Sequence, residues 1–340
     1  MREFPVLVSS LMCVASAGAV QSQHLMLADR MNDRVMLFAQ ADGRLVNANY
    51  LTSDTGPLNL ITEAIQVEGE IWVSDTFSDA VRRFSLDGQT FVGSIVGPFN
   101  PPMRRPEGLA YDGTTVYVAC HQIETHGLFA SWITKLNPNG TPAGLFTMPD
   151  DRHRFDLVSD NGELLVSDED DQSLDRVSTV TGAVVGRIDA FPQVFGHEPT
   201  QVLRLSSGEI ALGTTQGLRV YDAAGSLIEE HLGGVRINGV GELGTGELMI
   251  SLDRSAIALD RATGAERTLA TGLSGRLVSE IAGATVCPAD VNADGEVTPS
   301  DFTAWINEFN KQSPAADQNG DGSVMPDDFT AWIDNFNNGC

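Results

Sequence analysis

The sequence predicts a mainly β fold, a six-bladed β-propeller, followed by a small α-helical domain built on two calcium loops. Three observations predict it. Residues 24 to 286 contain no long run of 3.6 periodicity, only short β-branched and aromatic runs separated by DG, NG, SG and TG turns. Those runs return as groups of four strands roughly every 40 residues, the period of an array whose blades bury their faces only against their neighbours. Finally, the acidic stretch DVNADGEVTPSD at 290 to 301 recurs as DQNGDGSVMPDD at 317 to 328, 317 − 290 = 27 residues later.

The chain begins MREFPVLVSSLMCVASAGAVQSQ: one arginine, an apolar run and a set of small residues, the plan of a secretory signal over residues 1 to 22 with cleavage within 19 to 23. The run is too short to span a bilayer, and no later segment is apolar for long enough, so no transmembrane span is expected. Met12 is bulky where lipoprotein processing before Cys13 needs a small residue. The mature protein is therefore expected to be secreted or associated with the cell surface. Export makes disulfides chemically accessible, and Cys287 and Cys340 bracket the acidic tail, which predicts that they pair. Cys120, in VYVACH, reads as a small buried hydrophobe, and His121 and His126 read as loop histidines.

With 46 acidic residues against 21 lysines and arginines, the net charge is −25. A nucleic-acid binder needs clustered cations to neutralise phosphates, so nucleic acid is excluded as a partner, and cations or neutral ligands are favoured.

The six blades follow in order. Blades one to six carry LMLADRMNDRVMLFAQADGRLV (25 to 46), IWVSDTFSDAVRRFSLDGQTFV (71 to 92), VYVACHQIETHGLFASWITKLNPNG (116 to 140), LLVSDEDDQSLDRVSTVTGAVV (164 to 185), IALGTTQGLRVYDAAGSLI (210 to 228) and LMISLDRSAIALDRATGAER (248 to 267). Each is a strand, a polar turn, a second strand and a Gly-containing turn into a third. The last five are each preceded by another short strand ending in a Gly turn. Blade one lacks that strand, and GRLVSEIAGATV (275 to 286) has the character to supply it and close the ring, removing an exposed edge.

The segments LMLADRMNDRVMLFAQADG and IWVSDTFSDAVRRFSLDG resemble the NHL type of propeller repeat, which implies the fold and leaves the function open. A central channel is the expected ligand site. Aligned on their Gly turns, the leading strands place Glu63, Glu107 and Asp156 at equivalent positions, with Asn238 and Glu280 nearby. In outline the propeller also resembles lactonases of the SMP-30 and gluconolactonase type, which hold one metal with a Glu, an Asn and an Asp. Carried onto this chain, that resemblance implies Glu107, Asp156 and Asn238 as catalytic candidates around a further divalent cation that polarises a lactone carbonyl. No G-x-S-x-G elbow, H-E-x-x-H pair or Gly-rich phosphate loop is present.

The repeated acidic stretch is a calcium pattern with a mechanical reason. Side-chain oxygens at positions 1, 3 and 5 and the carbonyl of position 7 wrap a hard cation, Gly at 6 allows the sharp turn, and an acid at 12 returns from the following helix. The first loop supplies Asp290, Asn292, Asp294, the Glu296 carbonyl and Asp301; the second supplies Asp317, Asn319, Asp321, the Ser323 carbonyl and Asp328. Two bound Ca²⁺ ions are expected. The helices that follow, DFTAWINEFN and DFTAWIDNFN, place Phe302, Trp305, Ile306 and Phe309, and Phe329, Trp332, Ile333 and Phe336, on one apolar stripe each, predicted to pack together. The tail holds 10 acids against Lys311 alone, so its folding should be coupled to metal.

Cys287, Pro288 and Ala289 leave no room for a helix before the first loop, and position 12 is Asp rather than Glu. A duplicated loop-helix with those features resembles a type I dockerin, here over residues 287 to 340. The resemblance implies calcium-dependent attachment to a cohesin-like protein or cell-surface scaffold, with the propeller as a platform for a glycan, small-molecule or protein ligand, or as a non-catalytic part of a polysaccharide-degrading assembly. Where dockerins carry a Ser/Thr pair before the last acid, this chain has Pro299 and Ser300, and Pro326 and Asp327.

Overall fold

A computed structural model describes residues 23–96, 103–123, 129–147, 154–169, 171–190, 197–284, 287–292, 297–319 and 323–338. The predicted signal, Asp294, Glu296, Asp321 and Cys340 lie outside the described residues. Blade one contributes β1 (Gln23–Asp29), β2 (Arg34–Ala39) and β3 (Leu45–Leu51). Blade two is β4 (Ile61–Val67), β5 (Glu70–Asp75), β6 (Ala80–Ser85) and β7 (Phe91–Ile95), and blade three is β8 (Leu109–Tyr111), β9 (Val116–Ile123), β10 (Phe129–Leu136) and β11 (Pro142–Thr147). Blade four is β12 (Arg154–Asp160), β13 (Glu163–Asp168), β14 (Ser173–Ser178) and β15 (Val184–Ala190), and blade five is β16 (Pro199–Arg204), β17 (Ile210–Thr214), β18 (Gly217–Tyr221) and β19 (Leu227–His231). Blade six is β20 (Gly239–Glu242), β21 (Leu248–Ser251), β22 (Ser255–Leu259) and β23 (Glu266–Thr271), and β24 (Gly275–Ala282) ends the ring.

Among the described residues these strands form six four-stranded antiparallel sheets, and the sheet of blade one runs β24-β1-β2-β3. The last strand therefore fills the missing place beside the first, with Leu25 opposite Glu280 and Gln23 opposite Ala282. The apolar residues that alternate along each strand bury between blades: Met26, Leu37 and Ile281 of blade one pack with Ile61, Ile71 and Phe84 of blade two. Cys120 is buried and free, and burial pushes its thiol up to about 12, the inert state expected of it.

The acid-arginine signature of the repeat is structural. Asp29 and Asp75 are fully buried at the ends of β1 and β5. Each accepts from an arginine on the next strand, Arg34 Nε and Arg82 Nε, both at 2.8 Å, while its other oxygen takes a backbone N–H: Ser274 at 2.8 Å for Asp29 and Ser78 at 3.0 Å for Asp75. Removing one member of such a buried pair strands the other. Asp75→Ala is expected to destabilise the propeller by about 3 kcal/mol, read from the urea midpoint, and a change within error of zero would refute the assignment.

The tail forms α1 (Pro299–Asn310), a short 3-10 turn (Pro314–Ala316) and α2 (Asp327–Asn338). Trp305 and Trp332 are buried at their centre, with Phe302, Phe309 and Phe336 packed around them. The single-stripe expectation needs one correction: Ile306 is 39% and Ile333 37% exposed, and Phe329 also stands 39% exposed. A two-helix contact is narrow, so a residue at i+4 sits at its edge, and Phe329, at position i of α2, lays its ring against Phe302 and Trp305 while remaining partly open to solvent.

Candidate functional site

The innermost strands β4, β8, β12, β16, β20 and β24 meet around the propeller axis. Matching their pairings (Ala64 with Val73, Leu109 with Val118, Leu157 with Val166, Val202 with Leu212, Val240 with Ile250, Val278 with Leu27) puts Glu63, Gly108, Asp156, Gln201, Gly239 and Leu277 in one tier. Glu107 and Asn238 fall one residue earlier, with Thr62 and Arg276. The expected equivalence of Glu63, Glu107 and Asp156 is thus off by one in blade three. Gly108 occupies the equivalent place because a Cβ there would stand 2.6 Å from the Asp156 Cα.

Innermost strands have a partner on one side only, so some of their N–H groups need other acceptors. The tier supplies them. Leu109 N donates to Glu63 Oε2, Val202 N to Asp156 Oδ2 at 2.9 Å, and Val240 N and Val278 N to Gln201 Oε1 at 2.8 and 2.9 Å. Glu63 and Asp156 are buried. Burial, and then the neighbouring Asp156 charge, push the Glu63 carboxyl well above the usual range despite the Leu109 N–H. Burial raises Asp156 to about 7 against the N–H groups of Val202 and Leu157. Asp156 Oδ1 has no hydrogen-bond partner among the described residues. Gln201 was missed from sequence; its only signal is that it shares the register of Asp156.

The rim above this tier is basic. Arg276 lies half-buried in β24, its Nε without a partner among the described residues. Burial, then Arg30 and Arg236, lower its guanidinium to about 10, opposed by Glu107 and Asp253. Asn238 is held between an arginine and a carboxylate: its Oδ1 accepts from Arg236 Nε at 3.0 Å and its amide donates to Asp253 at 2.8 Å. Glu107 sits beside His121, with Oε2 3.5 Å from Nδ1. The structure thus brings Glu107 and Asn238 to one tier and Asp156 to the next, but sets guanidinium groups beside Asn238 and Glu107. Among the described residues no three His, Cys, Asp or Glu side chains come together as a metal site. The oxygen of Asn238, taken by an arginine, does not fit a cation.

The tail is organised differently. Asp301 and Asp328, the position-12 acids, are fully buried. Asp301 accepts from Asn292 N at 3.1 Å and Thr298 N at 2.8 Å; Asp328 accepts from Asn319 N at 3.2 Å and Met325 N at 2.8 Å. The same geometry thus recurs 27 residues on, as 328 − 301 = 27. Each acid also lies in the first turn of a helix. Thr298 caps α1 in a capping box with Asp301, and Pro299 takes the first turn, where no N–H is needed. The Thr298 cap was not read from sequence, although T-x-x-D before an apolar run signals it.

The two halves are locked reciprocally. Trp305 Nε1 of α1 donates to Ala316 O at 3.1 Å, just before the second loop, and Trp332 Nε1 of α2 donates to Ala289 O at 3.3 Å, just before the first. Asp290 is 8% exposed, and Asp317 lies within hydrogen-bonding reach of Asp328. Carboxylate and amide oxygens of this kind are the donors that a hard cation takes.

Residues 288–337 match the family described as Dockerin type I domain. No curated protein matches the chain. Its fold is similar to a chain in a crystal structure of a nidogen/laminin complex, with a TM-score of 0.62 and 16% identity over 77% of this chain and 100% of that one. It is also similar to a protein of unknown function from Bacteroides caccae, with a TM-score of 0.55 and 12% identity over 76% and 99%. A gluconolactonase from Xanthomonas campestris aligns with a TM-score of 0.52 and 17% identity over 68% and 83%. At these identities the likeness is one of fold. The chain is a six-bladed β-propeller that carries a dockerin type I domain at residues 288–337.

Proposed function

We propose that this protein is exported and attaches, through its calcium-loaded dockerin over 287 to 340, to a cohesin-like protein or cell-surface scaffold. There the propeller of residues 24 to 286 serves as a binding platform for a glycan or other small ligand. The observation that carries the reading is the in-register duplication in the tail: two buried acids, Asp301 fed by two backbone N–H groups and Asp328 by three, behind two loops cross-locked by tryptophans. One Ca²⁺ is held by Asp290, Asn292, Asp294, Asp301 and the Glu296 carbonyl, and a second by Asp317, Asn319, Asp321, Asp328 and the Ser323 carbonyl. A Cys287–Cys340 disulfide ties the ends of the module together, consistent with export.

Phe329 and Ile333 of α2, with Met325 just before it, form an exposed apolar surface beside Pro326 and Asp327, where the Ser/Thr recognition pair of other dockerins is replaced. That replacement fits a partner differing from an ordinary cohesin. The test is a pull-down from the exported fraction with the full chain as bait. Capture of a cohesin-bearing protein in Ca²⁺ and its release by chelator are expected; recovery unchanged by chelator overturns the proposal.

A second reading, metal-dependent lactone hydrolysis by Glu107, Asp156 and Asn238, has one observation in its favour, the unpartnered buried Oδ1 of Asp156. The guanidinium-rich rim weighs against it.

A further inference from the structure

The rim of the propeller holds a feature that the overall charge conceals. A cavity of about 320 Å³ is lined by Arg30, Leu60, Thr76, Phe77, Asp79 and Arg105. Its one carboxylate, Asp79, is already engaged: Oδ2 accepts from Arg104 Nη1 at 2.5 Å and Oδ1 from the Arg105 backbone N–H at 2.8 Å. Arg30 spends one N–H on Thr62 Oγ1 at 3.1 Å, and the Arg105 guanidinium has no hydrogen-bond partner among the described residues. Two guanidinium forks therefore face the same space with donors to spare. Burial lowers the Arg30 guanidinium, Glu107 opposes that, and Arg105 adds to it, as two like charges held close must do. The cavity wall also carries Phe77, whose side chain is left in solvent with the residue 69% exposed.

We infer that this cavity binds a small carboxylic acid with a cyclic body, such as a sugar acid, its carboxylate held by Arg30 and Arg105 and its ring face laid on Phe77. Guanidinium groups match a carboxylate with two parallel N–H donors, and an exposed aromatic face covers the apolar side of a ring. The volume suits a monosaccharide-sized ligand rather than a polymer segment. Asp79 and Glu107 keep the local excess of positive charge small, which favours a singly charged carboxylate over a phosphate dianion. The assignment rests on the propeller being a binding platform and names what that platform takes.

Titration calorimetry on the calcium-loaded full chain at low ionic strength tests it, with glucuronate, glucose and inorganic phosphate as probes. Glucuronate is expected to bind roughly 10-fold or more tightly than either of the others, and Arg105→Met to weaken it roughly 10-fold, the loss of one charge-assisted pair. Arg30→Met should do the same, and Phe77→Ala should weaken glucuronate without creating phosphate binding. Arg105→Met decides the matter if Arg30→Met fails to fold, because the Arg105 guanidinium has no partner among the described residues to lose. Binding of glucose as tight as glucuronate, tighter binding of phosphate, absence of glucuronate binding, or glucuronate binding unmoved by Arg105→Met overturns the inference. A propeller that captures neutral glycans on an array while ignoring every acid would keep the platform reading and reject this site.

Discussion

Stripping calcium from the full chain is expected to melt α1 and α2 while the propeller's strands persist. The tail's core is a handful of aromatic side chains around Trp305 and Trp332, too little to fold so short a segment without staples. Ten acids against one lysine add repulsion that only a cation removes. The position-12 acids transmit the effect, because each joins its loop to its helix: Asp301 takes N–H groups from Asn292 in the loop and Thr298 at the cap, and Asp328 repeats the arrangement. On the proposed function, Asp301→Ala or Asp328→Ala would therefore remove a metal ligand and the acceptor that ties loop to helix in one change. Calcium affinity at that loop should fall on the order of 100-fold or more, at least what losing an outer partner of a ligand costs. Far-ultraviolet circular dichroism with and without chelator, alongside calcium titration calorimetry, reads both effects. Helical signal and melting that ignore Ca²⁺ would remove the basis for the docking proposal.

Asp156→Asn is expected to stabilise the propeller at pH 8 and to leave it unchanged near pH 4. The sign follows from burial. The folded-state carboxyl titrates at about 7 rather than 3.8, so between those values the folded protein holds a proton that the unfolded chain has released. Stability contributed by this group is complete below pH 3.8 and is lost as pH rises toward 7. Asparagine cannot ionise, keeps an oxygen for the Val202 N–H, and no longer sets a charge beside Glu63. Urea midpoints of the two proteins at pH 4 and pH 8 check this. Equal loss at both pH values would show that the carboxylate is wanted ionised, as a metal ligand is; a lactone assay on the same variant then reports whether hydrolysis depends on it.

The fold was largely legible because a propeller writes its period into the chain. Turn glycines and alternating apolar strands recur from blade to blade, the Asp-Arg pair marks blades one and two, and even the closing of blade one by 275–282 could be read from the missing strand. The duplicated loop-helix was legible for the same reason: its pattern repeats within one short segment, the one that matches the dockerin type I family over 288–337. The channel was harder. Its tier is assembled from six separate strands, so one glycine at 108, demanded by the approach of Asp156, shifted the alignment and put Glu107 in a tier to which it does not belong. The arginine cluster left no local pattern. Arg30, Arg105, Arg236 and Arg276 are scattered along the chain, and a net charge of −25 pointed away from any basic site.

Closing the ring with β24 also decides how the molecule bears load. The strand that leads into the dockerin is the hub strand of blade one, clamped on one side by β1 and on the other by blade two, where Ala282 N donates to Gln66 Oε1 at 2.8 Å and Ser279 Oγ donates to Ala64 O. Were the tail anchored as proposed, tension on it would reach the seam of the ring first and be shared by two blades before any outer strand felt it.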